Sequence, residues 1–217
     1  MSAKKSHPIP STSPPPPGME DSKRPLSPDE ILVAEFEYAA NSAFQANEDR
    51  SKAASFFLVS VGSLVAAIFG AQKEGLTTEV YFLLAVLFLA LTFLGGLTVS
   101  QLARLRAAWL EAALTMNKIK DYYIGHFQDI QLADAFRWRT STLPPIFKRN
   151  SVSYSTVIEV AVLSGLTLGA SAVFFLLGIS WTSWLTPITA ATILAGMGLQ
   201  LWLYKRLLPR DIEKETT

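Results

Sequence analysis

Four long apolar runs dominate the pattern of hydrophobic and polar positions along the chain. Ala53 to Ala71 carries about 19 residues without a charge, Val80 to Ala103 about 24, and further runs follow from about Val157 to Ser180 and from about Trp184 to Tyr204. At a rise of about 1.5 Å per residue each can cross a hydrocarbon layer of about 30 Å, the first only just. Gln72-Lys73-Glu74-Gly75 and two threonines after Leu76 link the first pair, and a few residues link the second. The pattern predicts two transmembrane hairpins, 53–103 and 157–204. The expected fold class is an all-α, four-span transmembrane helical bundle.

Around the first hairpin the pattern becomes amphipathic. Ser27-Pro28-Asp29-Glu30 combines a hydroxyl N-cap, proline at the first helical position and glutamate at the third, which is a capping box. Leu32, Phe36, Ala39, Ala43 and Ala46 then recur at spacings of four and three. Leu102, Leu105, Trp109, Ala112, Met116, Ile119 and Tyr123 do the same beyond the second run, with Gly125 as the expected stop. Two cytosolic helices, 27–52 and 104–125, are therefore expected to form an antiparallel coiled-coil-like stalk of roughly 30 to 40 Å. Spacing leaves open whether the stripes pair within one chain or between chains. Leu32, Phe36, Leu105, Trp109, Met116, Ile119 and Tyr123 form the expected interaction face.

Small residues at helical spacing mark faces for close packing in lipid. They are Gly62, Ala66 and Gly70 in the first span, Ala161, Gly165 and Gly169 in the third, and Thr192 and Gly196 in the fourth. Packing within the chain and self-association both use such faces.

The remaining segments are irregular. Residues 1–26, with the Pro14 to Pro17 run, read as a disordered tail with polyproline II character, or as a docking site for a proline-reading domain. Residues 126–156 form a return segment in which Phe136-Arg137-Trp138-Arg139 and Leu143-Pro144-Pro145-Ile146-Phe147-Lys148-Arg149 mix aromatic and basic residues. That mixture beside a membrane span suits the headgroup layer; a nucleic-acid surface uses the same residue types but fits this position poorly, so no nucleic acid is expected as partner. Trp181, Trp184, Trp202 and Tyr204 fall at the expected interfaces. Residues 205–217 are a polar tail.

Composition agrees with a membrane protein, since half of the residues are apolar and only 17% are charged. A net charge of +1 excludes no partner, but its distribution is informative. Of nineteen basic residues, eighteen lie on one predicted face and only Lys73 on the other. The positive-inside rule makes that face the cytoplasm, with both termini there and the plasma (cell inner) membrane as the expected location. No cysteine is present, which removes disulfides, thiolate catalysis, Cys-based metal sites and S-acylation. A polar stretch of about fifty residues precedes the first run, so that run is expected to act as the targeting signal.

Candidate chemistry is sparse. Glu159 is the sole ionisable residue inside a predicted span, read either as an ion or proton site or as the third-position partner of Thr156 in a capping box, Thr-Val-Ile-Glu. His7 lies in the tail, and His126 precedes Asp129 at a spacing that matches no established metal pattern. No phosphate loop, nucleophile elbow or zinc-protease motif occurs. No catalytic residue, cofactor or metal is expected. The leading expectation is a non-enzymatic protein that self-assembles or docks a cytosolic protein through its stalk. A second is an oligomeric pore with Ser60, Ser63, Thr92 and Thr98 on an aqueous path. A third is a transporter or enzyme working at Glu159 or His126.

In its architecture the chain resembles the SLATT-like group of small bacterial membrane proteins. The resemblance covers residues 28–124: a cytosolic helix ending in the charged cluster Glu48-Asp49-Arg50-Ser51-Lys52, a two-span hairpin with a short external link, and a second cytosolic helix. It implies a pore-forming effector linked to nucleotide-signalled defence. The chain departs from that group by adding the hairpin from Val157 to Tyr204 and by having no nucleotide-sensing domain of its own.

Overall fold

The computed structural model of the chain describes residues 27–71, 77–127, 134, 136 and 138–208. The proline-rich tail with His7, the link containing Lys73, Asp129, Arg137 and the tail from 209 lie outside the described residues, as does the surrounding of Gly70.

Helix α1 spans Pro28–Ala71, 44 residues. It starts where the capping box places it: the Ser27 N–H donates to Glu30 Oε2 at 2.7 Å and the Glu30 N–H donates to Ser27 Oγ at 3.2 Å. Helix α2 spans Thr78–Phe127, 50 residues. At 1.5 Å per residue α1 and α2 are about 66 and 75 Å long, twice what a bilayer core requires, so each joins a candidate span to a long, more polar extension in one unbroken helix. Gly125 does not end α2 as expected. A glycine terminates a helix by turning left-handed, whereas Gly125 keeps a right-handed backbone and the His126 ring stacks on Tyr122 at 5.9 Å.

Helix α3, Val152–Gly178, begins earlier than the Thr156-Glu159 box suggests. Ser151 is its N-cap, with its Oγ accepting from the Tyr154 N–H at 3.2 Å. Thr156 lies a turn inside the helix, donating to the Val152 carbonyl at 3.1 Å. Glu159 is therefore no capping partner. At the other end the Trp181 N–H reaches the Leu176 carbonyl at 2.9 Å and the Ser180 N–H the Leu177 carbonyl at 3.0 Å, a Schellman closure. Ser180 adopts the left-handed φ of 57° that this closure usually gives to glycine. Helix α4, Leu185–Leu207, follows and returns to the level at which α3 started.

All four helices are long and apolar enough to be candidate membrane spans, and they pack as a bundle. Helix α2 is central, touching the other three; α3 packs along both α2 and α4, while α1 packs on α2 and meets α3 only sparsely. The main core lies at the end of the bundle next to the α1–α2 extensions. There Phe57, Val99, Leu102, Leu110, Val157, Val160 and Leu208 meet Ile146 of the return segment. Tyr204 belongs to this core, 2% exposed, and not to an interfacial ring; Trp181, Trp184 and Trp202 are about half exposed. Burial takes Tyr204 because α4 turns it toward Tyr154, 6.2 Å away.

Candidate functional site

The extensions of α1 and α2 pair within the chain. Ala39, Ala43 and Ala46 of α1 are buried, as are Leu102, Ala112 and Ile119 of α2, and small residues let the two helices come close. Leu105, Trp109 and Met116 are half-buried along the same seam. At the bundle-distal end the alanines give way to larger residues. Leu32, Val33, Phe36, Ile119, Tyr123 and Phe136 line an open apolar groove of about 560 Å³ there. Tyr123 Oη donates to Asp29 Oδ1 at 3.3 Å across this end, and the Lys120 ammonium sits over the Phe36 and Phe136 rings at 5.8 and 5.7 Å. Ile31, Val33, Tyr38, Phe44 and Tyr122, all outside the apolar runs, are more than half exposed.

A second constellation, centred on two arginines, occupies the base of the bundle. Arg106 is 6% exposed; its Nε donates to the Ile146 carbonyl at 3.4 Å, its Nη2 to the Pro145 carbonyl at 3.3 Å, and its guanidinium stacks 4.9 Å from the Trp109 ring. Arg50 donates through Nη1 to Ser153 Oγ at 2.9 Å and through Nη2 to Asn47 Oδ1. Burial pushes both guanidiniums below their ordinary pKa, and the charge of Arg50 pushes Arg106 further the same way. Among the described residues neither arginine pairs with a carboxylate. The return segment is clamped nearby, with Asp121 accepting from Arg139 Nε at 3.0 Å and from the Thr140 N–H at 3.3 Å.

Between α2, α3 and α4 runs a polar seam. Gln200 Nε2 donates to Ser164 Oγ at 3.0 Å, Ser164 donates to the Thr92 carbonyl at 3.3 Å, and the Thr92 and Thr167 hydroxyls lie 2.9 Å apart. Ser171 donates to the Ala85 carbonyl at 2.7 Å. In an apolar surround such bonds hold helices together because each group lacks water as an alternative partner. Of the four residues assigned to an aqueous path, Thr98 is buried and donates back to the Leu94 carbonyl at 3.0 Å, while Thr92 is half-buried, bonded to Thr167 and on the lining of an open, mainly apolar cleft with Leu89, Gly96 and Leu199. Ser60 donates to Phe56 of its own helix at 2.8 Å, and Ser63 is exposed.

The small-residue faces divide. Ala161, Gly165 and Gly169 are buried, and Gly165 and Gly169 meet Met197, Ile193 and Thr189 of α4. Gly196 packs directly on Gly165 and Leu168, with Thr192 half-buried one turn before it. Gly62 has open space around it and Ala66 is exposed. Glu159, near the start of α3, and His126, near the end of α2, are both exposed, and among the described residues no cluster of three His, Asp or Glu side chains gathers to hold a metal ion.

Arg106, Ser164 and Gln200 went unnoticed in the sequence. The signal was present, since Ser164 continues the buried row Val157, Val160, Ala161 and Gln200 lies one turn from Gly196 and from Tyr204. No family model matches the chain, and neither a curated protein nor a solved structure matches it.

Proposed function

We propose that this chain is a non-enzymatic multi-pass membrane protein whose paired helical extensions form a cytosolic stalk that presents its free end to a protein partner. The observation that carries the reading is the apolar groove of Leu32, Val33, Phe36, Ile119 and Tyr123 at the tip, flanked by exposed Ile31, Tyr38 and Tyr122. Large apolar groups on a water-exposed helix pair are costly to leave uncovered and are the usual mark of an interaction surface. Because the alanine stripes are occupied within the chain, partner binding or self-assembly falls to the tip and outer faces of the stalk. The basic residues that flank the spans on the stalk side support a cytoplasmic stalk in an inner or plasma membrane. A pore is less well supported, since Thr92 and Thr98 spend their hydroxyls inside the bundle.

The test is a photo-crosslinking amino acid placed at Val33 in the full chain expressed in cells, with native mass measured in nanodiscs. Adducts of doubled mass identify self-assembly and adducts of another mass a partner. Leu32→Asp combined with Phe36→Asp is expected to abolish either. A monomeric native mass together with the absence of any adduct at Val33 or Tyr38 would remove the basis of this reading.

A further inference from the structure

We propose that the cleft between α1 and α3 is a binding site for one anionic phospholipid of the stalk-side leaflet, with the lipid phosphate on Arg50. The cleft has a volume of about 370 Å³ and is open because α1 and α3 touch only sparsely. Its lining is graded along the helix axes. Asn47, Arg50 and Ser51 lie at the stalk end beside Val152, the hydroxyl residues Ser55 and Thr156 come next, Glu159 follows, and Leu58 and Leu163 lie deepest. The change coincides with the start of the first apolar run at Ala53. From Asn47 to Leu58 the cleft descends about 16 Å at helical rise, and over that depth a bilayer passes from phosphate through ester groups to acyl chains. Apart from Glu159, positive charge, hydroxyl and hydrocarbon thus follow in the order in which one phospholipid presents phosphate, ester and chain.

Arg50 retains donors for the phosphate. A guanidinium has five N–H groups, and those not committed to Ser153 and Asn47 remain for a ligand. No carboxylate neutralises it among the described residues, Arg106 adds a second positive charge close enough to act on it, and Lys148 and Arg149 are exposed a few residues before Val152 in the chain. Glu159 is the one acidic lining residue. It lies six residues below Ser153, the partner of Arg50, or about 9 Å down the axis, and so confines the phosphate to the upper end of the cleft. A planar, delocalised guanidinium at headgroup depth is the side chain best suited to phosphate oxygens.

The inference rests on the four-span reading but not on the stalk's having a partner. Full-length protein in nanodiscs of phosphatidylcholine doped with phosphatidylglycerol is released into the gas phase, and lipid adducts are counted by native mass spectrometry. The wild type is expected to retain phosphatidylglycerol. Arg50→Gln should cut retention roughly tenfold, the effect of losing charge-assisted hydrogen bonds. Ser55→Trp, at an exposed lining position, should remove it with Arg50 intact. Lys205→Gln, which removes a basic charge outside the cleft, should leave it unchanged, and Glu159→Gln should maintain or increase it. Equal retention by the wild type and Arg50→Gln, retention by Ser55→Trp, or displacement by soluble glycerol phosphate would overturn the lipid site. Release of the chain from membranes by alkaline carbonate would instead overturn the four-span reading, which separates the two failures.

Discussion

Helices α1 and α3 carry small residues at the same four-residue spacing, yet they use them in opposite ways. On α3 a Cβ added to Gly165 would lie 2.6 Å from Met197 Cγ and 2.8 Å from the Ile193 carbonyl oxygen, and one added to Gly196 of the facing α4 would come within 3.1 Å of the Gly165 Cα. On α1 a Cβ added to Gly62 would meet nothing within 4 Å. Spacing therefore marks where a backbone can come close, and the connection decides whether one does. The link between α3 and α4 is a six-residue turn closed by Ser180, which brings the two helices together along their length. Helix α1 is joined to α2 and pairs with it through Phe57, Val61 and the alanine stripe, so that Gly62 and Ala66 point elsewhere.

The largest expected effect tests the packed side of this comparison. Gly165→Leu forces a branched side chain against the backbone oxygen of Ile193, which cannot rotate away as a side-chain end can. The α3–α4 pair should lose about 3 kcal/mol, at the upper end of ordinary overpacking penalties. A thermal melt in detergent followed by tryptophan fluorescence reads this directly, since Trp181, Trp184 and Trp202 all flank that pair. A melt unchanged from wild type would mean that α3 and α4 are not in contact at Gly165.

Next comes the anchor of the second hairpin at its base. Arg106→Leu keeps a side chain of useful apolar size but strips the Pro145 and Ile146 carbonyls of their donor. An unsatisfied buried acceptor costs about 2 kcal/mol, and here the loss should appear locally, as faster tryptic cleavage at Lys148 and Arg149. Cleavage at the wild-type rate would show that Ile146 is held by apolar contact alone.

A smaller effect depends on pH. Burial alone would raise the Asp121 pKa, but the hydrogen bonds from Thr140 and Arg139 outweigh it and hold the carboxylate below its ordinary value. A group with a depressed folded-state pKa stabilises above its unfolded pKa and loses that contribution as pH falls through the folded one. The clamp should hold at neutral pH and release below about pH 4, where unperturbed aspartate takes a proton. Both partners are about a third exposed, so the contribution stays under about 1 kcal/mol. The chain has no cysteine, so Ser141→Cys introduces a single site for a spin label. Its mobility should rise on acidification, and Asp121→Asn should show the acid value already at neutral pH. A label equally mobile at both pH values in the wild type would contradict the clamp.

What was legible in the sequence followed from local rules. The Ser27-Glu30 box, the four apolar helices and the inward turn of Ala39, Ala43 and Ala46 depend on spacing within a single segment, and the structure has each of them. The start of α3 was misread because Thr156-Val-Ile-Glu is the complete local box, whereas Ser151-Val-Ser-Tyr lacks the acidic partner. Contacts from outside the helix favour the earlier start, the distant Arg50 on Ser153 at 2.9 Å and the nearby Phe147 edge-on to Tyr154 at 5.1 Å. The same kind of contact hid Tyr204, which an interfacial rule places in the headgroups and the core claims for itself. Gln200 carried only the weak signal of its place one turn from Gly196, and Arg106 none beyond its charge, because a polar residue on an apolar row shows its role only when another segment supplies its partner.

The smallest expected effect lies on the open side of the comparison. Gly62→Leu adds a large side chain where the chain itself offers no neighbour, so the folded monomer should change by no more than about 0.5 kcal/mol, the range of exposed substitutions. Removing a helical glycine even favours the helix slightly, which works in the same direction. The thermal melt of Gly62→Leu should therefore overlie that of the wild type, in contrast to Gly165→Leu at the same kind of position. Native mass in nanodiscs supplies the second half of the test. If copies of the chain pair through α1 in the membrane, leucine at Gly62 blocks the approach of a second backbone and the mass falls to that of one chain while the melt is unmoved. If the mass is unchanged as well, Gly62 and Ala66 face lipid, and any assembly of this protein is directed by the stalk alone.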